Sequence, residues 1–214
     1  MICLKRNFNR MCFYYAAVKT NARTLVDSKI ITEKQLEIFQ DQQFVKGFDY
    51  PLMPVISGDK PEKIQFFRWG FVPPHIGSEE KAQEFLSRYN TLNAKAETLF
   101  KSRLFSGSVR SKRCLVLCSG FFEWRHKAPG RKSTEKYPFY VTLKDERMFV
   151  FGGIWEQFTN RTTGEVVSTY ALITTPANEL MELVHNTKKR MPLIIEPEKA
   201  QKWLNPRLPE DDVK

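Results

Sequence analysis

The sequence contains a methionine that is followed directly by a cysteine, Met11-Cys12. If the working chain begins at Met11 and loses that methionine, Cys12 carries a free α-amine beside its thiol. These two nucleophiles can close on a single aldehyde carbon. In model peptides the pKa of the amine is about 7.7–8.0 and that of the thiol about 8.5, so a usable fraction of each is deprotonated near neutral pH. The alternative is that Cys12 packs as a small hydrophobic residue, as most buried cysteines do.

A single carboxyl group lies among aromatic residues in the segment 119–124, directly after the apolar run 114–118. At the end of a buried strand, Glu123 would be partly desolvated, and desolvation raises the pKa of a carboxyl group toward working pH. Such a group can act as a general acid or base. The alternative is that Glu123 points outward and pairs with Arg125 or Lys127.

Two further polar residues are candidates for catalysis. His185 is followed within five positions by Lys188, Lys189 and Arg190, and neighbouring positive charge favours a neutral imidazole that can accept a proton. A purely structural histidine is the alternative. Asn93 precedes a run with helical character, so it would most simply cap a helix, although its amide could equally hold a substrate oxygen.

The charge of the chain indicates the kind of partner. Its 34 lysines and arginines exceed its 24 acidic residues by ten, giving a net charge of +10, which favours polyanions. Aromatic and basic residues alternate at Arg68-Trp69 and Trp124-Arg125, a mixture typical of single-stranded nucleic acid binding. A membrane partner is not expected, because no apolar run approaches about 20 residues and residues 1–10 lack the apolar core of a signal peptide. The alternative is a basic protein whose charge serves solubility alone.

The cysteine pattern predicts neither a metal site nor a cofactor. The four cysteines, Cys3, Cys12, Cys114 and Cys118, form no Cys-x-x-Cys pair, and no histidine lies at a spacing typical of zinc sites. The sequence also lacks a glycine-rich phosphate loop and a serine nucleophile elbow. We therefore expect a cytoplasmic chain with reduced thiols, associated with the nucleoid when it binds DNA.

The elements that must position these residues are mostly strands. Extended segments are predicted at 51–57, 63–69, 113–117, 137–143, 148–155, 167–174 and 192–195, and helices at 32–43, 78–89, 93–105, 178–184 and 197–204. Since strands outnumber helices and no βαβ alternation occurs, we expect an α+β fold with a mostly antiparallel, barrel-like sheet and peripheral helices. The expected organisation is an N-terminal extension (1–11), one domain (12–205) and a polar tail (206–214).

The candidate residues fall within motifs whose order resembles that of the SRAP family, the SOS response-associated peptidases. The motifs are Met11-Cys12, Trp-Gly-x-x-Pro at 69–73, Asn-Ala-Lys-x-Glu at 93–97, Gly-Phe-Phe-Glu-Trp at 120–124, and His185 shortly before Arg-Met-Pro at 190–192. The resemblance extends from Met11 to about Trp203. It implies the family's α+β, barrel-like domain with a positively charged groove. It also implies a sensor that shields abasic sites in single-stranded DNA by covalent attachment during the DNA damage response.

The resemblance implies a role for each matching residue. Cys12 would close a thiazolidine on the aldehyde of the ring-opened abasic sugar, in lyase-like Schiff-base chemistry. Glu123 would act as acid or base, His185 would be the second proton-transfer group, and Asn93 would position the Cys12 backbone or the sugar. The residues implied in DNA binding are Lys95, Arg103 and Arg190 on phosphates and Trp69 and Trp124 beside or between bases.

The sequence departs from the family pattern at several positions. Phe13-Tyr14 replace the usual Gly-Arg after the cysteine, and Lys95 replaces a common arginine, which keeps the charge but loses the bidentate fork. Residues 187–189 separate His185 from Arg190. While residues 1–11 are attached, the Cys12 amine is an amide and no thiazolidine can form.

Three functions therefore remain open from the sequence. The leading expectation is a monomeric, cofactor-free protein that crosslinks to abasic single-stranded DNA. The second is a non-covalent single-stranded DNA-binding module in which Cys12 is inert. The third is a cysteine peptidase that removes its own N-terminal residues, with Cys12, His185 and Glu123 acting together.

Overall fold

A computed structural model describes residues 13–19, 22–129, 135–145 and 147–213. Cys12 and the predicted extension, residues 1–11, lie outside the described residues. The strands are β1 (Tyr14–Ala17), β2 (Gln42–Lys46), β3 (Leu52–Ser57), β4 (Gln65–Trp69), β5 (Asn93–Lys95), β6 (Arg113–Cys118), β7 (Gly120–His126), β8 (Lys136–Val141), β9 (Phe149–Thr159), β10 (Val166–Pro176), β11 (Arg190–Pro192) and β12 (Ile194–Ile195). The α-helices are α1 (Arg23–Asp27), α2 (Glu33–Glu37), α3 (Glu79–Arg88), α4 (Ser106–Ser111), α5 (Glu179–Val184), α6 (Pro197–Leu204) and α7 (Glu210–Val213), and 3-10 helices span Gly47–Asp49 and Ala96–Lys101.

Five strands close into a barrel in the order β10, β4, β3, β6, β9 and back to β10. The contact between β10 and β4 is parallel, and the other four contacts are antiparallel. Closure pairs the backbone on both sides of each strand, which removes the exposed edges of an open sheet. Every residue of β6 is buried, consistent with its continuous apolar run. The predicted α+β fold with a mostly antiparallel, barrel-like sheet is confirmed.

A second, antiparallel sheet has the strand order β2, β1, β7, β8. Tyr15 of β1 is fully buried, and its ring lies 5.0 Å from Trp69 and 6.1 Å from Phe151, both in barrel strands. Phe121 of β7 also packs against Phe151, at 5.8 Å between ring centroids. The two sheets therefore share one hydrophobic core, which fixes β7 and its Glu123 relative to the barrel.

Strand β10 brings two distant motifs together. It pairs in parallel with β5, where Thr174 lies opposite Lys95, and antiparallel with β11, where Thr174 lies opposite Pro192. The predicted helix over 93–105 is therefore wrong at its start, because the backbone of Asn93 is in a strand and does not cap a helix. Pairing with β10 satisfies backbone groups that a helix would otherwise have bonded internally.

Capping residues mark the starts of several helices as the sequence indicates. Thr32 forms a capping box with Gln35, Ser78 accepts a bond from the backbone of Lys81, and Asn178 starts α5 in the same way. The helix predicted over 32–43 ends at Glu37, since residues 42–46 form β2. Strands β1, β2 and β7 were not predicted.

The C-terminal residues 206–213, expected to be a polar tail, include α7. Val213 of this short helix packs against the hydrophobic core, and Glu210 pairs with Arg110 at 3.1 Å. Within the described ranges, the structure holds no helix with the length and apolar character that crossing a bilayer requires.

Candidate active site

Glu123 lies in the middle of β7 and is 4% exposed. Burial raises the pKa of its carboxyl group to about 8, against a smaller opposing effect of a hydrogen bond from the Trp124 backbone. The group therefore holds its proton through most of the neutral range and can donate it. The desolvated Glu123 predicted from the sequence agrees with this burial. The alternative, an outward-pointing Glu123 paired with Lys127, disagrees with the structure, because Lys127 pairs with Glu135 at 2.9 Å.

His185 follows the last turn of α5 and is 2% exposed. Its backbone N–H donates to the carbonyl of Met181 at 2.7 Å, and its Nδ1 lies 2.9 Å from the carbonyl oxygen of Arg190. A carbonyl oxygen only accepts, so Nδ1 carries the hydrogen of this bond. In the neutral ring, Nε2 is then the unprotonated nitrogen, which makes it the position that can accept a proton.

The two buried groups are neighbours. Nδ1 of His185 lies 3.8 Å from Oε1 of Glu123, too far for a hydrogen bond but close enough for each group to influence the charge of the other. The part of the chain that the structure describes supplies no hydrogen bond to this carboxylate oxygen. The buried acid therefore lies beside the buried imidazole, and its Oε1 is not occupied by a hydrogen bond from the described residues.

This pair lies in a small cleft. The described residues that line it are Phe13, Tyr14, Glu123, Trp124, His126, Lys136, His185 and Thr187. Phe13 is the residue bonded to Cys12, and it is buried against Phe48, with ring centroids 4.6 Å apart. Thus Phe13-Tyr14, which replace the family's Gly-Arg, are packed within this site. The predicted nucleophile, Cys12, lies outside the described residues.

His126 was not recognised from the sequence, which placed it in a loop. It is the last residue of β7, where Asn186 holds its backbone with two hydrogen bonds, of 3.0 Å to its N–H and 2.8 Å to its carbonyl. Burial lowers the pKa of His126, and the charges of Lys136 and His185 lower it further. The aromatic residues of 121–124 are typical of a strand, and a strand predicted from them and extended by two residues would have included His126. These two hydrogen bonds from Asn186 connect β7, the strand of Glu123, to the segment that follows His185.

Arg190 is engaged within the protein. Its guanidinium binds both carboxylate oxygens of Glu97 and donates to the carbonyl of Thr174 at 2.6 Å, and the bond from Arg190 lowers the pKa of Glu97. The side chain therefore joins the end of the Asn93–Glu97 motif to β11. Because the Arg190 carbonyl also accepts from His185, this ion pair helps to fix the orientation of the imidazole.

The other residues implied in DNA binding differ in position. Trp69 is fully buried, donates through Nε1 to the carbonyl of Leu92 at 2.9 Å and stacks on Tyr170. Its predicted role beside DNA bases is contradicted by this burial in the core, since no surface of the ring is accessible. Trp124 is half-buried and lines the cleft, with its ring 4.8 Å from that of Tyr14.

The remaining predicted site residues lie outside the cleft lining that the structure describes. Lys95 and Arg103 are exposed, at the end of β5 and in the turn before α4. Asn93 is 8% exposed, and Leu172 of β10 lies opposite it. Burial is consistent with a positioning role for Asn93, and exposure leaves both cations accessible.

A closed five-stranded barrel is joined to a sheet that carries a buried glutamate beside a buried histidine, and this combination defines the class of protein to which the chain belongs. The family model of SRAP, SOS response associated peptidase, matches residues 11–214, and the chain belongs to this family.

Named relatives are similar to this chain in sequence, and a solved structure is similar to it in fold. The abasic site processing protein YoqW of Bacillus subtilis is 33% identical over 161 residues, which cover 75% of this chain and 66% of YoqW, slightly under two thirds. The abasic site processing protein HMCES of Xenopus tropicalis is 26% identical over 70% of this chain and 47% of its own length. A crystal structure of a Bacteroides thetaiotaomicron protein is 35% identical, with a TM-score of 0.79 over 94% of this chain and 84% of that one.

Proposed function

We propose that this protein processes abasic sites in single-stranded DNA by forming a covalent bond to them through Cys12. The observation that carries the proposal is the cleft in which Glu123 and His185 lie beside Phe13, the residue bonded to Cys12. Adjacent Cα atoms of a chain are about 3.8 Å apart, so Cys12 needs no long reach to present its amine and thiol to this cleft. Family membership and relatives named for abasic site processing support the substrate.

The proposed reaction uses both nucleophiles of an N-terminal cysteine. The abasic sugar opens to an aldehyde, and the Cys12 amine adds to the aldehyde carbon. Loss of one water gives a Schiff base, and the thiolate then adds to the same carbon to close a thiazolidine. The product joins protein and DNA by one C–N and one C–S bond.

Glu123 is assigned to the steps in which oxygen must leave. With a pKa of about 8, its carboxyl group is protonated at neutral pH and donates to the departing sugar or carbinolamine oxygen. His185 is assigned to accept protons through Nε2, because its Nδ1 hydrogen is committed to the Arg190 carbonyl. Asn93, Lys95 and Trp124 are assigned to hold the strand or the cysteine, and Arg190 to hold the histidine.

The proposal requires that Cys12 be N-terminal. In a chain that retains residues 1–11, the nitrogen of Cys12 is an amide, which is not a nucleophile toward aldehydes. Protein expressed from Met11, whose methionine can be removed, is therefore the active form in the proposal, and the full 214-residue chain is the natural negative control.

The experiment is a denaturing gel of protein incubated with an oligonucleotide that contains one abasic site. Protein expressed from Met11 should form a heat-stable, slower-migrating species. The variant Cys12→Ala should form none, while Cys118→Ala, which removes a buried thiol, should retain it. An adduct of undiminished yield in Cys12→Ala would overturn the assignment. Binding that ignores the abasic site, with no adduct, would favour a non-covalent module.

A further inference from the structure

A continuous series of aromatic rings begins at the cleft and extends over the second sheet to both of its edge strands, β2 and β8. The rings, one or two from each of the four strands, are Trp124, Tyr14, Phe44, Phe122 and Tyr140, which we call the aromatic face. Neighbouring ring centroids along this series are 4.8, 5.2, 5.0 and 4.7 Å apart. Each ring therefore contacts the next, and the series begins with two residues that line the cleft, Trp124 and Tyr14.

The far part of the aromatic face is open to solvent. Phe44 is 58% exposed and Tyr140 48% exposed, which is unusual for two large rings in contact with the same third ring, Phe122. The sequence is adapted to this arrangement at Gly120. A Cβ there would lie 2.4 Å from Cζ of Tyr140, so only a glycine lets the tyrosine ring lie over β7.

The charges of the same four strands favour an anionic partner. They contain three lysines or arginines, Lys46, Arg125 and Lys136, and one carboxyl group, the buried Glu123. Directly opposed residues of an antiparallel pair share a face. Lys46 lies opposite Tyr14, and Lys136 lies opposite His126, two positions along β7 from Trp124. Lys136, which lines the cleft, therefore borders the aromatic face on that side, and Lys46, which pairs with Asp49 at 3.3 Å, borders it beside Tyr14.

We propose that the aromatic face beyond Trp124 is a stacking surface for unpaired bases that flank the lesion, with Phe44, Phe122 and Tyr140 as its contact residues. Exposed rings bordered by cations fit single-stranded nucleic acid, because bases stack on the rings while cations hold the phosphates. The inference rests on the proposed function for its substrate and extends it to the neighbouring nucleotides. An abasic nucleotide has no base of its own, so contacts to its neighbours provide affinity that the lesion cannot.

The test separates bases from phosphates. Two oligonucleotides carry a central tetrahydrofuran site, which has no aldehyde and allows only non-covalent binding. One has natural flanking bases, and in the other about three nucleotides on each side are also tetrahydrofuran, with the phosphates unchanged. Fluorescence anisotropy should show wild-type protein, expressed from Met11, binding the natural oligonucleotide about tenfold or more tightly than the baseless one.

The decisive variant is Phe44→Ala/Tyr140→Ala, which truncates the two most exposed rings. It should lose about tenfold in affinity for the natural oligonucleotide and nothing for the baseless one. Phe66→Ala/Tyr89→Ala is the matched control, because Phe66 is 44% and Tyr89 57% exposed and neither belongs to the aromatic face. This control should bind both oligonucleotides as wild type does.

Other outcomes overturn the inference. Equal binding of both oligonucleotides by wild type, or an equal loss for both in the Phe44→Ala/Tyr140→Ala variant, would show that bases do not contact this face. A wild-type dimer in sedimentation that this variant dissociates would assign the face to a second copy. An adduct with abasic DNA, formed by protein that fails the base test, would overturn the stacking surface and leave the proposed function intact. Base-dependent affinity without an adduct would support the stacking surface and overturn the proposed covalent function.

Discussion

At the residue scale, the site depends on two buried groups whose environments set their protonation. Glu123 is held neutral by burial among aromatic rings, and His185 is held as one tautomer by the carbonyl of Arg190. A protonated carboxyl group can donate a proton, and an imidazole whose Nδ1 hydrogen is bonded to a carbonyl can accept one at Nε2.

The raised pKa of Glu123 predicts a pH-dependent stability. The unfolded carboxyl group titrates near its ordinary value of 4.5 and the folded one near 8. Between these values the native state binds a proton that the unfolded state has released, so rising pH destabilises the native state by up to about 1.4 kcal/mol per unit. From about pH 5 to pH 8, the unfolding free energy of wild type should therefore fall relative to that of Glu123→Gln, which has no carboxyl group to titrate. Urea denaturation across this range measures it, and parallel pH curves would contradict the buried neutral acid.

The bond between His185 and Arg190 predicts different effects for two substitutions. In His185→Asn, the amide N–H can replace Nδ1 as donor to the Arg190 carbonyl, but no group replaces Nε2. This variant should fold with nearly wild-type stability and lose about 100-fold or more in adduct formation rate. His185→Leu should also lose about 1–3 kcal/mol of stability, because the carbonyl is left unsatisfied. Single-turnover adduct kinetics and urea midpoints test both; a full rate in His185→Asn would exclude the imidazole from the reaction.

At the element scale, β10 and the 3-10 segment after β5 assemble motifs that are far apart in sequence. Thr174 lies opposite Lys95 on one side and Pro192 on the other, so the Asn93–Glu97 motif and the Arg190 motif meet at one position of one strand. The ion pair of Arg190 with Glu97 then closes this junction. Patterns of residues predicted the individual strands, but not which strands would be neighbours.

A second junction between elements is made by Arg113, which is 1% exposed. It donates to the carbonyls of Val109, Arg110, Trp203 and Asn205, at or near the C-terminal ends of α4 and α6. The last carbonyls of a helix have no partner within it, and a guanidinium offers several donors in one plane. The side chain therefore joins two helices to the barrel strand β6.

Arg113→Met should lower the free energy of unfolding by roughly 3 kcal/mol or more, since several buried carbonyls lose a charged donor at once. Arg110→Met is the matched control. That residue is half-exposed and pairs with Glu210 at the surface, so its loss should cost about 1 kcal/mol or less. Urea denaturation of both variants tests the comparison, and equal losses would show that Arg113 does not join the helices.

At the scale of the whole molecule, the barrel is closed, and in the proposed function the net charge of +10 attracts the DNA. The charge acts on any nucleic acid, whereas the cleft and the aromatic face act at short range. Non-covalent affinity for single-stranded DNA should therefore fall as salt rises, with each phosphate contact contributing about 0.7 to the slope of log K against log salt.

The slope of log K against log salt identifies which cations contact phosphates. Lys136→Gln should reduce it by about 0.7, because Lys136 lines the cleft. Lys199→Gln should leave it unchanged, since Lys199 lies on α6, which packs against β6, β9 and β12, and pairs with Glu196 at 2.7 Å. Anisotropy titrations at several salt concentrations measure both slopes, and equal changes would indicate a diffuse effect of net charge.

The sequence by itself determined the fold class, most strand and helix positions, and the candidates Glu123 and His185, because local patterns of apolar, aromatic and charged residues carry that information. Asn93 was singled out by the family resemblance, and its local pattern wrongly predicted a helix cap. It also singled out Cys12, which lies outside the described residues and whose role stays a proposal. Only the tertiary structure decided that Trp69 is in the core, that Arg190 is engaged by Glu97, and that His126 lines the cleft. These depend on contacts between residues far apart in sequence, and no local pattern specifies which strands pair or which face of a ring is covered. The same holds for the aromatic face, whose rings come from four strands and become one surface only when β1, β2, β7 and β8 are aligned.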